Sequence, residues 1–205
     1  MLVSFLSLIL AGYISTTLEN GFQNWTPSIF IWFLAIFLLV NYESSSNFSL
    51  KLKDRGLPGN IAISLSVGMV ILFGGAGVFD FTNPRVISLF LIGFSYNLAR
   101  EIIKDIEDME GDAKFGCRTL PIVWGLKATK VYLAVWLVVV IAVLTIIQLY
   151  VVPFGWWLSI IYCIVFIISP LVLVLYKLNK SFTSKDFNVL SNWVKLAMLA
   201  GVLSM

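Results

Sequence analysis

Carboxylates are concentrated in one short segment of this chain. Six of its 11 acidic residues lie within residues 101–112. If the segment is helical, a turn of about 100° per residue places four of these carboxylates and one amide on a single narrow face. The members of this acidic stripe are Asn97, Glu101, Asp105, Asp108 and Asp112. Like charges at helical spacing repel one another, so the stripe predicts a cation that neutralises it.

The residue types in the stripe favour a hard cation. The chain has no histidine and only two cysteines, which form no CxxC pair, so histidine-based triads and the common zinc sites are excluded. Oxygen ligands favour Mg²⁺, whose coordination is usually completed by waters and substrate phosphates. The simpler alternative is a solvated helix end on which Arg100, Lys104 and Lys114 balance the acids.

The rest of the sequence predicts an all-α, multi-span transmembrane helix bundle. Of the 205 residues, 60% are hydrophobic and 12% are charged, whereas soluble domains carry about 25% charged residues. A membrane span needs about 20 mostly apolar residues. This criterion predicts one domain, residues 1–205, with about seven spans. Their positions are 1–18, 29–42, 59–79, 85–100, 128–151, 154–176 and 189–205.

Basic residues alternate between the predicted loops. Lysine or arginine is concentrated in the second, fourth and sixth loops and is absent from the first and fifth. The positive-inside rule therefore places the basic loops in the cytoplasm, with the N-terminus inside and the C-terminus outside a cell membrane. The net charge of +3 is explained by this topology and indicates no nucleic-acid partner.

A magnesium site at the cytoplasmic end of such a bundle suits a diphosphate with an apolar tail, such as a prenyl diphosphate. The run NLAREIIKDIEDMEGDAKFGCRTLPIVWG resembles the second aspartate-rich motif, DxxxD, of the UbiA superfamily of intramembrane prenyltransferases. Asp108 and Asp112 match the two aspartates of that motif. The likeness is greatest to the archaeal branch that makes digeranylgeranylglyceryl phosphate. KLKDRGLPGNIAIS similarly resembles the loop and helix start two spans earlier.

The resemblance implies an activity and roles for individual residues. The reaction would transfer a prenyl group, geranylgeranyl in the archaeal branch, to a lipid-phosphate acceptor, geranylgeranylglyceryl phosphate, in membrane lipid biosynthesis. Asp108 and Asp112 would bind the cofactor Mg²⁺, and Asp105 would join them as a catalytic residue. Substrate binding is expected from Asn97, Glu101, Lys104, Lys114, Arg118, Lys51 and Lys53.

The chain also departs from the family pattern. The family has nine spans and a first aspartate-rich motif, NxxxDxxxD, which this sequence lacks. Its YxxxK motif has no clear match, since Ser46 follows Tyr42 at the lysine position and Phe48 ahead of Lys51 is the other possible anchor. We therefore expect the chain to begin at the third helix of the family and to be impaired alone, unless a partner subunit supplies the missing motif.

Other classes of protein explain these sequence features less well, with one exception. A cation transporter would place carboxylates near the membrane midplane on several spans, and the remaining spans contain none at depth. A CDP-alcohol phosphotransferase would show a glycine-containing aspartate motif that is absent here. A non-catalytic subunit or remnant, which keeps the fold with half of the metal site, stays the main alternative.

Overall fold

A computed structural model describes residues 2–17, 21–43, 50–78 and 80–203. The structure is 87% helical, and no strand occurs in the residues described. Ten α-helices follow one another within these ranges, and a stretch of π-helix, Cys163–Ile168, joins the eighth to the ninth. They are α1 (Leu2–Thr16), α2 (Gly21–Glu43), α3 (Leu57–Gly77), α4 (Pro84–Glu107), α5 (Met109–Lys114), α6 (Leu120–Trp124), α7 (Leu126–Val151), α8 (Trp157–Tyr162), α9 (Ser169–Leu178) and α10 (Ser184–Leu203). The predicted all-α fold is confirmed.

Helices lie at all seven predicted span positions. Five helical stretches in the described part of the chain are long and apolar enough to cross a membrane. These are Trp25–Tyr42, Leu57–Gly77, Pro84–Glu107, Leu126–Phe154 and Trp157–Leu178. The helix at the first position, α1, has 15 residues, and α10 at the last position is less apolar and begins with a charged turn. Membrane crossing by these two helices stays a prediction.

The segment between the fourth and fifth predicted spans is largely helical, in line with the helical spacing of the acids in residues 101–112. Helix α4 continues to Glu107, and the short helices α5 and α6 follow. Glutamate and lysine are good helix formers, and an aqueous helix end needs no apolar surface. The charged residues therefore lengthen α4 beyond its apolar part.

The main hydrophobic core packs against one side of α4. Ile102 and Ile103 of α4 are fully buried in one cluster with Leu133 and Leu137 of α7 and Val194 of α10. Burial of such side chains stabilises the packing by roughly 1.5–3 kcal/mol each. This packing fixes the rotation of α4 about its axis, and with it the direction in which the acidic side chains leave the helix.

On the opposite side, α4 packs closely against α3. A Cβ atom added at Gly68 would lie 2.8 Å from the ring of Phe90, and one at Gly75 would lie 2.7 Å from the side chain of Val86. These distances are too short for any residue with a side chain, so the two glycines allow the helices to approach. The polar residues that form the site lie farther along the same helix pair.

Candidate functional site

Three chain segments meet at the C-terminal end of α4. The backbone N–H of Arg118 donates to the Asp54 carbonyl at 3.2 Å, and the Asn188 amide donates to a Glu107 carboxylate oxygen at 2.6 Å. The segments 50–56, 105–120 and 181–188 therefore form one surface, which we call the acidic end. They belong to the three loops that are rich in lysine and arginine.

The helix that carries the acidic stripe is interrupted at Asp108. Its backbone has φ −92° and ψ 0° between the end of α4 at Glu107 and the start of α5 at Met109. The expectation of one uninterrupted stripe is therefore wrong in its last turn, because clustered carboxylates and Gly111 weaken the helix there. The N–H of Asp112 still donates to the Asp108 carbonyl at 2.9 Å, so the two aspartates stay one turn apart.

Asp112 lies among charged groups from different parts of the chain. Burial raises the pKa of its carboxyl group, and so do the negative charges of Asp108 and Asp54. The Thr119 hydroxyl and the Lys53 ammonium oppose this rise. Asp112 is therefore within electrostatic reach of two carboxylates and one lysine, of which Asp54 was missed by sequence reasoning.

A tight turn before α3 brings Lys53 and Asp54 to this position. The turn contains a short 3₁₀ helix, Leu52–Asp54, and is held by the hydrogen bond from Arg118. Gly56 has φ +55°, and a Cβ atom there would lie 3.1 Å from the Arg118 carbonyl oxygen. Glycine is therefore required by both backbone conformation and space. The glycines in KLKDRGLPGN were the available signal that this turn makes a close tertiary contact.

Asp105 has a hydrogen-bond partner on another helix. Its Oδ2 accepts a hydrogen bond from Nδ2 of Asn60 on α3 at 2.8 Å, and its carboxyl group lies near the backbone of Leu120 at the start of α6. Asn60 and Leu120 are 5% and 1% exposed. Sequence spacing places Asp105 on the acidic stripe but does not pair it with these groups.

Two predicted substrate-binding residues also have partners within the protein. Asn97 is 4% exposed and donates to the Ser64 hydroxyl at 3.3 Å, which in turn donates to the Asn60 carbonyl at 2.6 Å. Glu101 forms a salt bridge with its neighbour Arg100. A role for Asn97 or Glu101 in substrate binding stays a prediction.

The basic residues expected to bind phosphate are exposed at the acidic end. They are Lys51, Lys53, Lys104, Lys114 and Arg118. The charge of Lys53 acts on Asp112. In the part of the chain that the structure describes, no ion pair joins Lys104, Lys114 or Arg118 to a carboxylate. Lys104, Lys114 and Arg118 are thus exposed near the aspartates without an ion pair to them in the described residues.

A cavity of about 390 Å³ lies beside α5. Its lining combines carboxylates and aromatic rings. These residues are Glu107, Asp108, Glu110, Asp112, Phe115, Phe182 and Phe187. The bond from Asn188 to Glu107 holds the start of α10 against α4. Nothing in the sequence spacing indicated that this distant helix would complete the cavity.

The donor atoms at the acidic end suit a hydrated Mg²⁺ ion. No three acidic or cysteine side chains converge on one metal position within the described ranges. Thr119 Oγ1 is buried without a partner at hydrogen-bonding geometry, although it lies beside Asp112. Mg²⁺ keeps several waters and binds through one or two carboxylates plus phosphates. Asp108 and Asp112 fit this requirement as the pair of carboxylates.

The residues that were compared with the YxxxK motif lie only partly within the described ranges. Ser46 and Phe48 lie outside the described residues, and Tyr42 lies near the end of α2. Lys51 and Lys53 do lie in the described turn before α3, and Lys53 is the one whose charge reaches Asp112. The structure therefore supports a position for Lys53 at the site without a motif assignment.

A multi-span apolar helix bundle, with aspartates and exposed lysines grouped at one end, defines the class as an integral membrane protein. The family model described as "UbiA prenyltransferase family" matches residues 1–198. The chain belongs to this family, which confirms the resemblance seen in the sequence. No solved structure matches it.

Curated relatives are named digeranylgeranylglyceryl phosphate synthase. The protein of Methanosphaera stadtmanae is 32% identical over 205 residues, covering 99% of this chain and 67% of its own. That of Methanopyrus kandleri is 36% identical over 157 residues, covering 77% and 55%. That of Methanocaldococcus jannaschii is 37% identical over 152 residues, covering 72% and 52%. The chain thus spans half to two thirds of the length of these relatives.

Proposed function

We propose that this chain forms the diphosphate-binding site of a prenyltransferase of archaeal membrane lipid synthesis. The donor is geranylgeranyl diphosphate, and the acceptor is the free hydroxyl of geranylgeranylglyceryl phosphate. The observation that carries the proposal is the grouping of Asp108, Asp112, Asp54 and Lys53 at one end of an apolar helix bundle. The names of the curated relatives support this choice of substrates.

Asp108 and Asp112 are the residues that would hold Mg²⁺. The bound ion supplies Lewis-acid stabilisation of the diphosphate leaving group. Lys53 lies beside this pair, and Lys51, Lys104, Lys114 and Arg118 surround it as further cations. Their positive charges neutralise the diphosphate and orient it by charge-assisted hydrogen bonds.

The reaction exchanges one carbon–oxygen bond for another. The bond between the allylic C1 and the diphosphate oxygen breaks, and the electron pair leaves with the diphosphate. The acceptor hydroxyl oxygen then forms a bond to C1 and releases its proton. The apolar side chains of the bundle hold the prenyl tail away from water, which would otherwise capture the allylic cation.

The acidic end faces the cytoplasm in this proposal. Its three segments belong to the basic loops, which the positive-inside rule assigns to that side of the membrane. A water-soluble diphosphate head is then accessible from the cytoplasm, while the two lipid tails stay in the bilayer. The membrane is the cell membrane, where the lipid product is used.

Binding of Mn²⁺, as a paramagnetic substitute for Mg²⁺, tests the site directly. Electron paramagnetic resonance of the chain in detergent micelles, with inorganic diphosphate present, should show bound Mn²⁺. Asp108→Asn and Asp112→Asn should each weaken binding by about 100-fold. Asp80→Asn is the matched control, since Asp80 is an exposed acid in the turn between α3 and α4 at the opposite end of that helix pair, and should leave binding within about threefold.

Transfer of radiolabelled geranylgeranyl groups in proteoliposomes then separates the two classes of function. An enzyme loses turnover in Asp108→Asn and Asp112→Asn while its helical content stays unchanged. Equal Mn²⁺ binding by all variants would contradict the proposed site. Intact Mn²⁺ binding without turnover would favour the non-catalytic alternative or the need for a partner subunit.

A further inference from the structure

Lys130 lies on α7 beside two phenylalanine rings that line the cavity next to α5. Its Nζ is 4.3 Å from the ring centroid of Phe182 and 5.5 Å from that of Phe187. Both distances are within the range over which an aromatic ring attracts an ammonium group. The same ammonium donates a hydrogen bond to the carbonyl of Ser181, the residue before Phe182. Lys130 therefore contacts both rings and the backbone that carries one of them.

These contacts stand in place of a carboxylate partner for the half-buried Lys130. Among the described residues, no carboxylate forms an ion pair with it. Ser181 is buried and follows the end of α9, and its N–H donates to the Leu178 carbonyl at 3.4 Å. The carbonyl groups at a helix C-terminus favour a positive charge, and a lysine that leaves water needs such a partner. The ammonium of Lys130 is therefore held by the protein itself.

The two rings differ in how firmly the rest of the protein holds them. Phe187 is 1% exposed and belongs to the main core, whereas Phe182 is 72% exposed. The backbone N–H of Phe182 donates to the Asp186 carboxylate at 3.1 Å, but this bond leaves the side chain free to change rotamer. The contact with Lys130 restricts the exposed ring, because the lysine is itself bound to Ser181 and lies near the buried ring.

Both rings line the same cavity as Asp108 and Asp112. Leu126, which packs against the main core, also lines it. The cavity therefore has aromatic and aliphatic surface beside the carboxylates. A prenyl diphosphate requires this combination, because the metal-bound diphosphate is joined directly to an apolar, unsaturated isoprene unit.

We propose that Lys130 is a positioning residue, which holds the Phe182 ring at the cavity, and that this ring binds the isoprene unit next to the diphosphate. This inference rests on the proposed function, because it requires the diphosphate to lie at Asp108 and Asp112. Lys130 makes no contact with the diphosphate in this arrangement. Its loss should therefore weaken binding of the prenyl chain and leave binding of the metal and the diphosphate unchanged.

Two ligands separate this role from direct binding of the diphosphate. Affinities for inorganic diphosphate and for geranylgeranyl diphosphate are measured in detergent micelles with Mn²⁺ present. Lys130→Met removes the charge and should weaken binding of geranylgeranyl diphosphate about tenfold, while binding of inorganic diphosphate stays within about threefold. Lys130→Arg keeps a cation beside the rings and should restore most of the affinity. Lys127→Met, at an exposed lysine about one turn earlier on α7, is the matched control and should change neither affinity.

A double variant tests whether Lys130 acts through Phe182. Phe182→Leu should by itself weaken binding of geranylgeranyl diphosphate about tenfold, and Lys130→Met/Phe182→Leu should show no greater loss than either single variant. Independent losses that add up to about 100-fold would overturn the positioning role. An equal loss for both ligands in Lys130→Met would make Lys130 a diphosphate-binding group and would overturn it as well.

Hydrogen–deuterium exchange of the peptide that contains Ser181 and Phe182 tests the same role without any ligand. Exchange should rise in Lys130→Met and stay low in Lys130→Arg and Lys127→Met, and unchanged exchange in Lys130→Met would overturn the positioning role. If the unaltered chain binds inorganic diphosphate as tightly as geranylgeranyl diphosphate, the isoprene subsite is overturned and the proposed metal site stands. If it binds neither ligand, the proposed function fails and the isoprene subsite fails with it, whatever the exchange shows.

Discussion

The two ends of the α3–α4 helix pair contain the same hydrogen bond in different surroundings. At the acidic end the Asn60 amide donates to Asp105 at 2.8 Å across two helices. At the other end the Asn83 amide donates to Asp80 at 2.7 Å within one exposed turn. The first bond joins residues 45 positions apart and the second joins residues three apart. Only the first can fix one helix relative to another.

The residues that surround these two hydrogen bonds differ as well. Asp105 lies near the carboxylates of Glu101 and Asp112, and over the described ranges Lys104, Lys114 and Arg118 form no ion pair with a carboxylate. Asp80 lies in a turn where Asn83 caps α4 by accepting the Arg85 N–H at 2.9 Å. An asparagine–aspartate pair thus caps the start of a helix at one end and joins two helices at the other. The comparison shows that residue type alone does not define a site; burial and the surrounding charges do.

Charge reversal should give the largest difference in ligand binding between the two ends of the α3–α4 pair. Lys53→Glu places a negative charge beside Asp112 and should weaken binding of Mg²⁺ and inorganic diphosphate by about 100-fold, because a charge-assisted contact is replaced by repulsion. Arg85→Glu, at the exposed start of α4, is the matched control and should have no effect. Calorimetric titration in micelles measures both, and equal losses would refute a site confined to one end.

Removal of the Asn60 amide should give the next largest effect. Asn60→Leu leaves the Asp105 carboxylate without its side-chain donor in a largely buried position and should lower the free energy of unfolding by about 2 kcal/mol. Unfolding in mixed micelles, followed by circular dichroism, measures this change. The double variant Asn60→Leu/Asp105→Leu should recover part of the loss, since no buried carboxylate is then unpaired. A loss below about 0.5 kcal/mol in the single variant would show that the buried bond is worth no more than an exposed one.

Loss of the Asn83 cap should have a smaller effect. Asn83→Ala removes the acceptor for the Arg85 N–H and should lower the free energy of unfolding by about 1 kcal/mol. Asn83→Ser keeps a capping oxygen and should retain most of this stability. The same micelle unfolding experiment compares them, and a cost for Asn83→Ala above that for Asn60→Leu would reverse the order proposed for the two ends.

A pH effect at the start of α10 should be the smallest. Asp186 accepts hydrogen bonds from the N–H groups of Thr183 and Phe182 at 3.0 and 3.1 Å, and these bonds hold its pKa below the usual value of 3.8. Its contribution to stability is therefore present above pH 3.8 and is lost as the pH falls through the lower folded value. Exchange protection of the Thr183 amide should decrease as the pH falls below 3.8 and lose this dependence in Asp186→Asn. Constant protection to lower pH would exclude the effect.

Much of the fold was predictable because the membrane imposes a simple rule. Apolar runs of sufficient length must form helices, since their backbone groups find no water partners in the bilayer. This rule does not set where α4 ends. Residues 101–127 contain many charged residues, which are compatible with both helix and loop, and hydropathy does not distinguish the two. The break at Asp108 likewise depends on local charge and on Gly111, and the helical periodicity of the sequence takes neither into account.

The candidate site was predictable only in part. Asp108 and Asp112 were grouped from the sequence because one motif contains both of them, and their role as ligands stays a prediction. Asp54 appeared as an isolated acid in the sequence, and its approach to Asp112 depends on the turn at Gly56. Phe187 and Asn188 come from a helix some 80 positions away, so only packing could place them at the cavity.

The sequence by itself determined the class of protein, the places of the helices and the identity of the paired aspartates, because these depend on composition and on short-range spacing. Tertiary structure decided which carboxylates lie close together, which of them accept hydrogen bonds from other elements and which remain exposed. Asp105 and Asp108 are three positions apart in one acidic run, yet Asp105 accepts a hydrogen bond from α3 while Asp108 is exposed at a helix break. The physical reason is that desolvation and hydrogen bonding come from neighbours in space, and those neighbours are set by the packing of α4 against α3, α7 and α10.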